Sequence, residues 1–292
     1  MFKGSIVALV TPFEKNGDIN EERLRFFINW HIKNKTDAIL VCGTTGESAT
    51  LSHQEHKKVV KIAVEEAKRR IPVIAGTGSN STKEALDLAI YAKTVKADAL
   101  LVITPYYNKP TQKGLYQHYK EISSKVRLPL VVYNVPSRTG TNILPQTIAR
   151  IYKDCKNVIG IKEASGSMDQ ITKIMTLVDR KFVLLSGSDE IILPILSVGG
   201  CGVISVVANI MPKETHNLVE SFFKGDYFKS RTIQFYLYEI IKAMFIETNP
   251  IPVKTTLGFM GLIEPFFRLP LCSMTDDNLK KLKSVLKKYK LV

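Results

Sequence analysis

The chain has 292 residues, of which 45% are hydrophobic and 23% are charged, and its formal net charge is +14. This length and composition suit one large α/β domain, alone or with an appendage, whose interior can bury a site without disulfide bonds or a metal. No apolar run approaches the roughly 20 residues that span a bilayer, so the sequence predicts no membrane segment.

Short apolar runs alternate with longer amphipathic runs over about the first 225 residues. Strands are predicted at 5–10, 38–41, 72–75, 99–103, 129–133, 158–162, 182–186 and 202–206. Helices are predicted at 20–33, 52–69, 82–94, 113–125, 145–152, 168–178, 190–198 and 212–223. Eight strand–helix units predict a (β/α)8 TIM barrel with a parallel sheet. A doubly wound open sheet is the structural alternative.

The strand pattern stops after Gly225, and helices are predicted at 227–245, 251–260 and 276–289. The sequence therefore predicts a catalytic barrel over residues 1–225 and a C-terminal helical region over 226–292, with a turn at 224–226 between them. In such a barrel, functional residues lie at the carboxyl ends of the strands and in the loops that follow.

A lysine ends the sixth predicted strand, where Lys162 follows an apolar, β-branched run. Burial disfavours the charged ammonium and lowers its pKa. A neutral amine at a strand end can attack a carbonyl and form a Schiff base. Two other interpretations are that Lys162 extends to solvent or that it pairs with Glu163.

The second predicted strand ends in a turn, Cys42-Gly43-Thr44-Thr45-Gly46-Glu47-Ser48, that can direct backbone N–H groups and Thr hydroxyls at one anionic group. It lacks the GK[ST] of a phosphate loop, and a glycine-rich turn before a capped helix is the structural alternative. The fourth strand is followed by Tyr106 and Tyr107, which indicate a recognition or interface element or aromatic packing in a loop.

Residues that can transfer protons or bind a ligand also lie at or just after the ends of the fifth and seventh strands. Tyr133 ends the fifth, where a phenol can transfer protons, and Arg138 in the next loop can bind a carboxylate through two parallel hydrogen bonds. After the seventh strand, Gly187 permits either close backbone approach to a ligand or a tight barrel end.

Other functional classes have weaker support. The positive charge lacks a nucleic-acid-binding motif and is interpreted as solvated surface. His53 and His56 are spaced i and i+3 but have no third metal ligand, and no GxGxxG indicates a nicotinamide cofactor. We therefore expect no metal, cofactor, nucleic acid or membrane partner. The four separated cysteines predict reduced thiols in a cytoplasmic protein.

Several motifs in order resemble the dihydrodipicolinate synthases (4-hydroxy-tetrahydrodipicolinate synthases) of the class I aldolase and N-acetylneuraminate lyase superfamily. They are GSIVALVTPF at 4–13, CGTTGES at 42–48, TPYYNKPTQKGLYQHY at 104–119, VVYNVPSRTG at 131–140, GIKEASG at 160–166, GVISVVAN at 202–209 and NPIPVK at 249–254. The likeness runs nearly end to end, and the YNVPSRTG block distinguishes this family within the superfamily.

The resemblance implies a condensation of pyruvate with L-aspartate 4-semialdehyde, the first committed step of diaminopimelate and lysine biosynthesis. Lys162 would form the Schiff base with pyruvate, and Tyr133 would transfer the protons while Thr44 hydrogen-bonds it. Tyr107 from a neighbouring subunit would complete the relay to solvent. The family is typically a homotetramer built as a dimer of dimers.

The resemblance also implies substrate contacts and a regulatory site. Thr45 would hold the pyruvate carboxylate with Ile204 nearby, Gly187 would lie at the substrate, and Arg138 would receive the carboxylate of the aldehyde. Some members are inhibited by L-lysine at the tight-dimer interface. The corresponding contacts here are Ser48, Ala49, His53, His56, Asn80, Glu84 and Tyr106.

One departure from the family and two alternatives accompany this interpretation. Many relatives have an acidic residue or Asn where this chain has Ser188, and we expect Asp189 to cap the next helix rather than to replace that residue. An N-acetylneuraminate lyase or keto-deoxy-sugar acid aldolase would share Lys162 and Tyr133, but Arg138 favours a short substrate with a carboxylate. A non-catalytic relative would be expected to lose Lys162, Tyr133 or Thr44, and none is lost.

Overall fold

The computed structural model describes residues 2–292, within which eight short apolar strands pair in parallel and in chain order. The strands are β1 Gly4–Ala8, β2 Ala38–Val41, β3 Val73–Gly76, β4 Ala99–Ile103, β5 Leu130–Asn134, β6 Val158–Glu163, β7 Val183–Ser186 and β8 Gly202–Ser205. Because β1 also hydrogen-bonds to β8, the sheet closes into a barrel. The predicted (β/α)8 fold is confirmed, and the open-sheet alternative is excluded.

Helices follow the strands around the barrel and continue past it. They are α1 Glu21–Lys33, α2 His53–Ala67, α3 Thr82–Thr94, α4 Gln112–Lys125, α5 Pro136–Thr139, α6 Pro145–Asp154, α7 Met168–Met175, α8 Ile192–Ser197, α9 Pro212–Phe223, α10 Tyr227–Ala243, α11 Ile251–Phe259 and α12 Asp276–Lys288. Side-chain caps define several starts: Asn20 caps α1, Ser52 forms a capping box with Glu55 on α2, and Ser81 caps α3.

Most predicted bounds lie within two residues of those observed, but three segments differ. The predicted helix over 168–178 ends at Met175, where Thr176 forms the C-cap. The predicted helix over 190–198 is a 3-10 turn, Asp189–Ile191, followed by the short α8. The single-turn helix α5 after Tyr133 was not predicted, and it carries Arg138.

The strands separate two apolar layers. Alternate side chains of a strand face opposite sides of the sheet. In β6, Ile161 packs in the outer layer between sheet and helices, whereas Lys162 faces the cavity at the barrel mouth. The inner layer below that cavity includes Ile6, Leu40, Ile74, Leu101, Val131, Leu185 and Ile204. An inward-facing lysine near the strand end therefore lies above an apolar floor.

The C-terminal helices pack on the barrel. The predicted turn at 224–226 lies between the end of α9 and the start of α10. The turn after β2 is contacted by Asn249, just before α11, and by Lys254, within α11. The division into a barrel and a separate helical region stays a prediction. Within residues 2–292, no helix is both long enough and apolar enough to cross a membrane.

Candidate active site

A cavity of about 220 Å³ opens at the carboxyl ends of the strands. It lies where the barrel architecture predicts a functional site. Six residues predicted from the sequence line it: Thr44, Thr45, Tyr133, Arg138, Lys162 and Gly187. The strand ends thus bring together an amine, a phenol, two hydroxyls and a guanidinium in one small space.

Lys162 is buried at the base of this group, with 6% of its surface exposed. Register places it directly beside Tyr133 on the neighbouring strand, and its Nζ lies 4.2 Å from the centroid of the Tyr133 ring. Burial lowers the pKa of Lys162 to about 7, opposed by the carboxylate of Asp189 and aided by the cation of Arg138. A large fraction of this amine is therefore neutral near pH 7.

Neither structural alternative for Lys162 holds. It does not extend to solvent, and the adjacent Glu163 faces the other side of β6. The Glu163 carboxylate accepts hydrogen bonds from the side chain of Asn134 at 3.1 and 3.2 Å, from that of Gln170 and from the backbone of Ser165. Glu163 is therefore satisfied without Lys162.

Gly187 provides the space that Lys162 occupies. A Cβ on Gly187 would lie 3.1 Å from Cε of Lys162 and 2.7 Å from Cβ of Ala164. Any side chain there would displace the lysine or the adjoining loop. These contacts are with the protein's own side chains and match the tight barrel end, whereas approach of Gly187 to a ligand stays a prediction.

Tyr133 and the turn after β2 face the amine from two sides. Burial raises the pKa of Tyr133, whereas the nearby Arg138 cation and a hydrogen bond with the Thr44 side chain lower it. The Thr45 hydroxyl accepts a hydrogen bond from Nδ2 of Asn249 at 3.0 Å. A protonated phenol next to a neutral amine is suited to proton transfer.

Arg138 stands at the rim, held by a residue that the sequence analysis did not assign to the site. Its Nη2 donates to the carbonyl of Asn249 at 3.5 Å. Asn249 therefore touches both Thr45 and Arg138, and its own Oδ1 is buried without a partner. The NPIPVK motif contained this residue, but only the fold shows that it reaches the turn after β2.

The prediction that Asp189 caps the next helix is wrong. Asp189 lies inside the 3-10 turn, and its Oδ2 accepts the amides of Val206 and Val207, each at 3.0 Å. Its Oδ1 is buried without a partner. The carboxylate thus fastens the loop after β8 to the loop after β7, and burial raises its pKa. Ser188 lines the cavity.

Two other predicted residues lie outside the cavity wall. Ile204 is buried in the inner apolar layer. Tyr107 is 88% exposed on the loop after β4 and lines neither this cavity nor the larger one beside it. Within one chain, the aromatic ring of Tyr107 therefore stands apart from Lys162.

A larger cavity of about 450 Å³ adjoins the first, and Thr44, Arg138 and Asn249 line both. Its wall includes six of the seven residues predicted to bind L-lysine: Ser48, Ala49, His53, His56, Glu84 and Tyr106. The seventh, Asn80, does not line it, and its carbonyl accepts a hydrogen bond from Asn108 at 3.0 Å.

Some polar groups of the larger cavity already form hydrogen bonds within the protein. Nε2 of His56 donates to the carbonyl of Gly76 at 2.7 Å, and burial lowers the pKa of His56, which favours the neutral ring. The Glu84 carboxylate accepts from Ser79 at 2.8 Å through one oxygen. Across residues 2–292, no group of three His, Cys, Asp or Glu side chains is arranged to hold a metal.

Comparison with known proteins gives consistent similarities over the full length. A sequence model of the Dihydrodipicolinate synthetase family matches residues 1–289. The 4-hydroxy-tetrahydrodipicolinate synthases of Nitratidesulfovibrio vulgaris (strain Miyazaki F) and Citrifermentans bemidjiense are each 52% identical, over 98% and 100% of this chain and 97% and 100% of their own.

Solved structures give the same result. The dihydrodipicolinate synthase of Aquifex aeolicus superposes with a TM-score of 0.98 at 49% identity, covering 99% of each chain. A chloride-inhibited enzyme from Acinetobacter baumannii, complexed with pyruvate, gives 0.97 at 42% identity over 100% of both chains. An enzyme from Cyanidioschyzon merolae with lysine bound gives 0.96 at 35%, over 100% of this chain and 99% of its own.

Proposed function

The chain belongs to the dihydrodipicolinate synthetase family, and from this premise we propose that it joins pyruvate to L-aspartate 4-semialdehyde through a Schiff base on Lys162. Membership makes it a lyase with 4-hydroxy-tetrahydrodipicolinate synthase activity, in the biosynthesis of diaminopimelate and lysine. The proposal goes beyond that membership in naming the two substrates, the covalent intermediate, the effector and the assembly. A cytoplasmic location belongs to the same proposal.

The observation that carries the proposal is the buried amine of Lys162, with its pKa lowered to about 7. The neutral nitrogen attacks the keto carbon of pyruvate, and loss of water leaves an iminium. The iminium withdraws electrons from the adjacent methyl group, so that a methyl proton is lost and an enamine forms. Because about half of the amine is neutral near pH 7, the first attack needs no strong base to remove a proton first.

Proton transfers in this scheme are assigned to Tyr133, whose hydroxyl is hydrogen-bonded to Thr44. The phenol can donate a proton to the departing hydroxyl of the carbinolamine and take one from the methyl group. We propose that Tyr107 of a neighbouring subunit connects this relay to solvent. Its exposure of 88% is compatible with a contact made only on association.

Substrate carboxylates are assigned to the two ends of the cavity. Thr45 is proposed to hold the pyruvate carboxylate, and Arg138 at the rim to bind that of the aldehyde. The enamine carbon then attacks the aldehyde carbon, and the aldehyde becomes a hydroxyl. The amine of the second substrate attacks the imine carbon, closes the ring and releases Lys162. Gly187 leaves space for the Lys162 side chain that carries the intermediate, and Ile204 closes the apolar floor below.

The cavity volume favours this substrate pair over a sugar acid. Ligand pockets of about 300 to 1,000 Å³ accommodate drug-sized molecules, and a cavity of about 220 Å³ lies below that range. It suits a three-carbon acid followed by a short aldehyde. The N-acetylneuraminate lyase alternative would need both more space and hydroxyl-binding side chains along the wall.

The larger cavity supports a second part of the proposal, feedback inhibition by L-lysine. The Glu84 carboxylate in its wall can attract the ammonium groups of the ligand, and the cavity adjoins the reactive one. The lysine-bound relative has the same fold. We propose a homotetramer in which this cavity lies at the tight-dimer interface, where two copies face each other.

Reductive trapping tests the central step. Incubation with pyruvate and borohydride, followed by peptide mass mapping, is expected to show a pyruvyl adduct on Lys162 and no adduct in Lys162→Ala. A matched control, Lys173→Ala, removes an exposed lysine of α7, the helix that follows β6, and this lysine does not line the cavity. An adduct absent from the native protein, or found at another lysine, would refute the proposal. Assays with aspartate semialdehyde and with N-acetylneuraminate then identify the second substrate.

A further inference from the structure

A buried ion pair that the reaction scheme does not use joins the turn after β2 to α11. Nζ of Lys254 lies 2.6 Å from Oε1 of Glu47, and the two side chains are 0% and 1% exposed. Nζ of Lys254 also lies 4.3 Å from the centroid of the Phe13 ring. The second carboxylate oxygen of Glu47 is buried without a partner. Both charges are thus withdrawn from water with few other polar contacts.

Stability alone is a poor explanation for this pair. The cost of desolvating two charges often equals or exceeds their attraction, so that apolar residues of similar volume stabilise such a site equally well. Glu47 also has a φ of +53°, in the left-handed region that favours glycine. The buried charge and the left-handed backbone of Glu47 each cost free energy. Strained residues of this kind concentrate at functional sites.

The position of Glu47 in the turn indicates what the pair holds. The amide of Glu47 donates to the carbonyl of Thr44 at 3.1 Å, and the amide of Gly46 donates to that of Gly43 at 3.1 Å. These hydrogen bonds couple the backbone of the turn to the position of Glu47. It carries the Thr44 hydroxyl that hydrogen-bonds Tyr133 and the Thr45 hydroxyl that faces the cavity.

The C-terminal segment holds this turn at two points. Lys254 binds Glu47 at one end, and Asn249, just before α11, donates to Thr45 at 3.0 Å. The contacting residues are far apart in the sequence. Lys254 and Glu47 are separated by 207 residues, and Asn249 and Thr45 by 204. Both anchors lie in or next to α11, so that helix helps to place the two threonines, together with Thr11, whose hydroxyl donates to the carbonyl of Gly46 at 2.7 Å.

We propose that Glu47 and Lys254 are positioning residues that fix the 43–48 turn, so that Thr44 and Thr45 meet the reacting groups. The inference rests on the proposed function, since it assigns those hydroxyls to proton transfer and to the pyruvate carboxylate. It makes α11 part of the active site. Loss of the pair should raise the KM for pyruvate even in a variant that keeps most of the native melting temperature.

The test uses Glu47→Gln, Lys254→Met and the double variant that carries both. Each single variant leaves one buried charge alone and is expected to lower the melting temperature. The double variant removes both charges and is expected to recover most of that loss. Its KM for pyruvate should nevertheless stay about 10-fold to 100-fold above that of the native protein, as expected when reacting groups are displaced by about 1 Å.

A matched control is the ion pair of Arg25 on α1 and Glu66 on α2, which lie 3.2 Å apart and line neither cavity. The double variant Arg25→Met, Glu66→Gln should lower the melting temperature and leave the pyruvate KM unchanged. A folded Glu47 and Lys254 double variant with native KM and native trapping rate would overturn the inference. Failure of the native protein itself to form an adduct would instead refute the proposed function.

Discussion

At the scale of single residues, the proposed chemistry depends on how three elements set the acidity of one amine. Burial on β6 lowers the pKa of Lys162, the Arg138 cation from α5 acts in the same direction, and the Asp189 carboxylate after β7 opposes both. The resulting pKa of about 7 places the change from ammonium to amine within the physiological range. A lysine on the surface would change near pH 10.4, so that near pH 7 almost all of it would be the non-nucleophilic ammonium.

The first prediction concerns pH. Only the neutral amine attacks pyruvate, so the initial rate of adduct formation should rise as pH increases through about 7 and then level off. Rates of reductive trapping between about pH 5 and about pH 9, followed by mass spectrometry, measure the midpoint. A rate that still rises steeply above about pH 9 would mean that Lys162 has the pKa of an ordinary lysine.

The second prediction concerns Asp189. Removal of its negative charge in Asp189→Asn should lower the pKa of Lys162 further and move the midpoint of the trapping profile to lower pH. Glu163→Gln is the matched control, because Glu163 is equally buried and adjacent to Lys162 but faces the helices through Asn134. Equal displacement of the midpoint in both variants would contradict a specific interaction between Asp189 and Lys162.

Residue types at or just after the strand ends were sufficient to predict that Lys162, Tyr133 and Arg138 lie close together, because in a barrel all strand ends meet at one face. The contacts of Asp189 and Asn249 could not be predicted in this way. Asp189 binds backbone amides 17 and 18 residues away, and Asn249 reaches Thr45 across 204 residues. No local pattern encodes such pairings, since they depend on how distant loops pack after the barrel closes.

At the scale of elements, the loops after the strands are held closely against the cavity. The loop after β7 passes Lys162 at the one position, Gly187, where a Cβ would meet both that side chain and Ala164. The strands themselves were predictable from their apolar, β-branched runs. The single turn of α5 was not, because four residues that begin with proline resemble an irregular loop.

The third prediction follows from this close approach. In Gly187→Ala, the added methyl group should displace Lys162 or the loop and raise the pyruvate KM about tenfold, with overpacking that destabilises the fold by about 1 to 3 kcal/mol. Gly114→Ala, in the first turn of α4 and away from both cavities, is the matched control. Steady-state kinetics and thermal unfolding of the two variants measure the effect. An unchanged KM in Gly187→Ala would show that the space beside Lys162 is not limiting.

At the scale of the whole molecule, one chain leaves part of the proposed relay incomplete. Tyr107 is 88% exposed and lines neither cavity, so its proposed role requires a second copy of the chain. The larger cavity shares a wall with the reactive one through Thr44, Arg138 and Asn249. A ligand in the larger cavity would therefore act on side chains that also line the reactive cavity.

The fourth prediction links activity to association. Specific activity should fall when dilution converts oligomers into monomers, and Tyr107→Phe should lower kcat about tenfold or more, as expected when a proton relay is interrupted. Tyr227→Phe, an exposed tyrosine at the start of α10, is the control for loss of a surface hydroxyl. Light scattering alongside the assay reports the oligomer. Full activity in a monomer, together with native kcat in Tyr107→Phe, would contradict the relay.

The last prediction concerns inhibition by L-lysine. The ligand carries two ammonium groups and one carboxylate, and the larger cavity offers the Glu84 carboxylate with one oxygen still free of the Ser79 contact. Glu84→Gln keeps the shape of the side chain but removes its charge, and should raise the concentration for half-inhibition about tenfold, which corresponds to about 1.4 kcal/mol. Glu121→Gln, on the exposed side of α4, removes the same charge far from the cavity and should leave inhibition unchanged. Activity that stays flat up to millimolar lysine in the native enzyme would reject the effector site, whereas equal inhibition of the native enzyme and Glu84→Gln would place lysine elsewhere.

Because Arg138 lines both cavities, we further expect lysine to alter the KM for the aldehyde as well as kcat, a result that steady-state kinetics at several fixed lysine concentrations can measure.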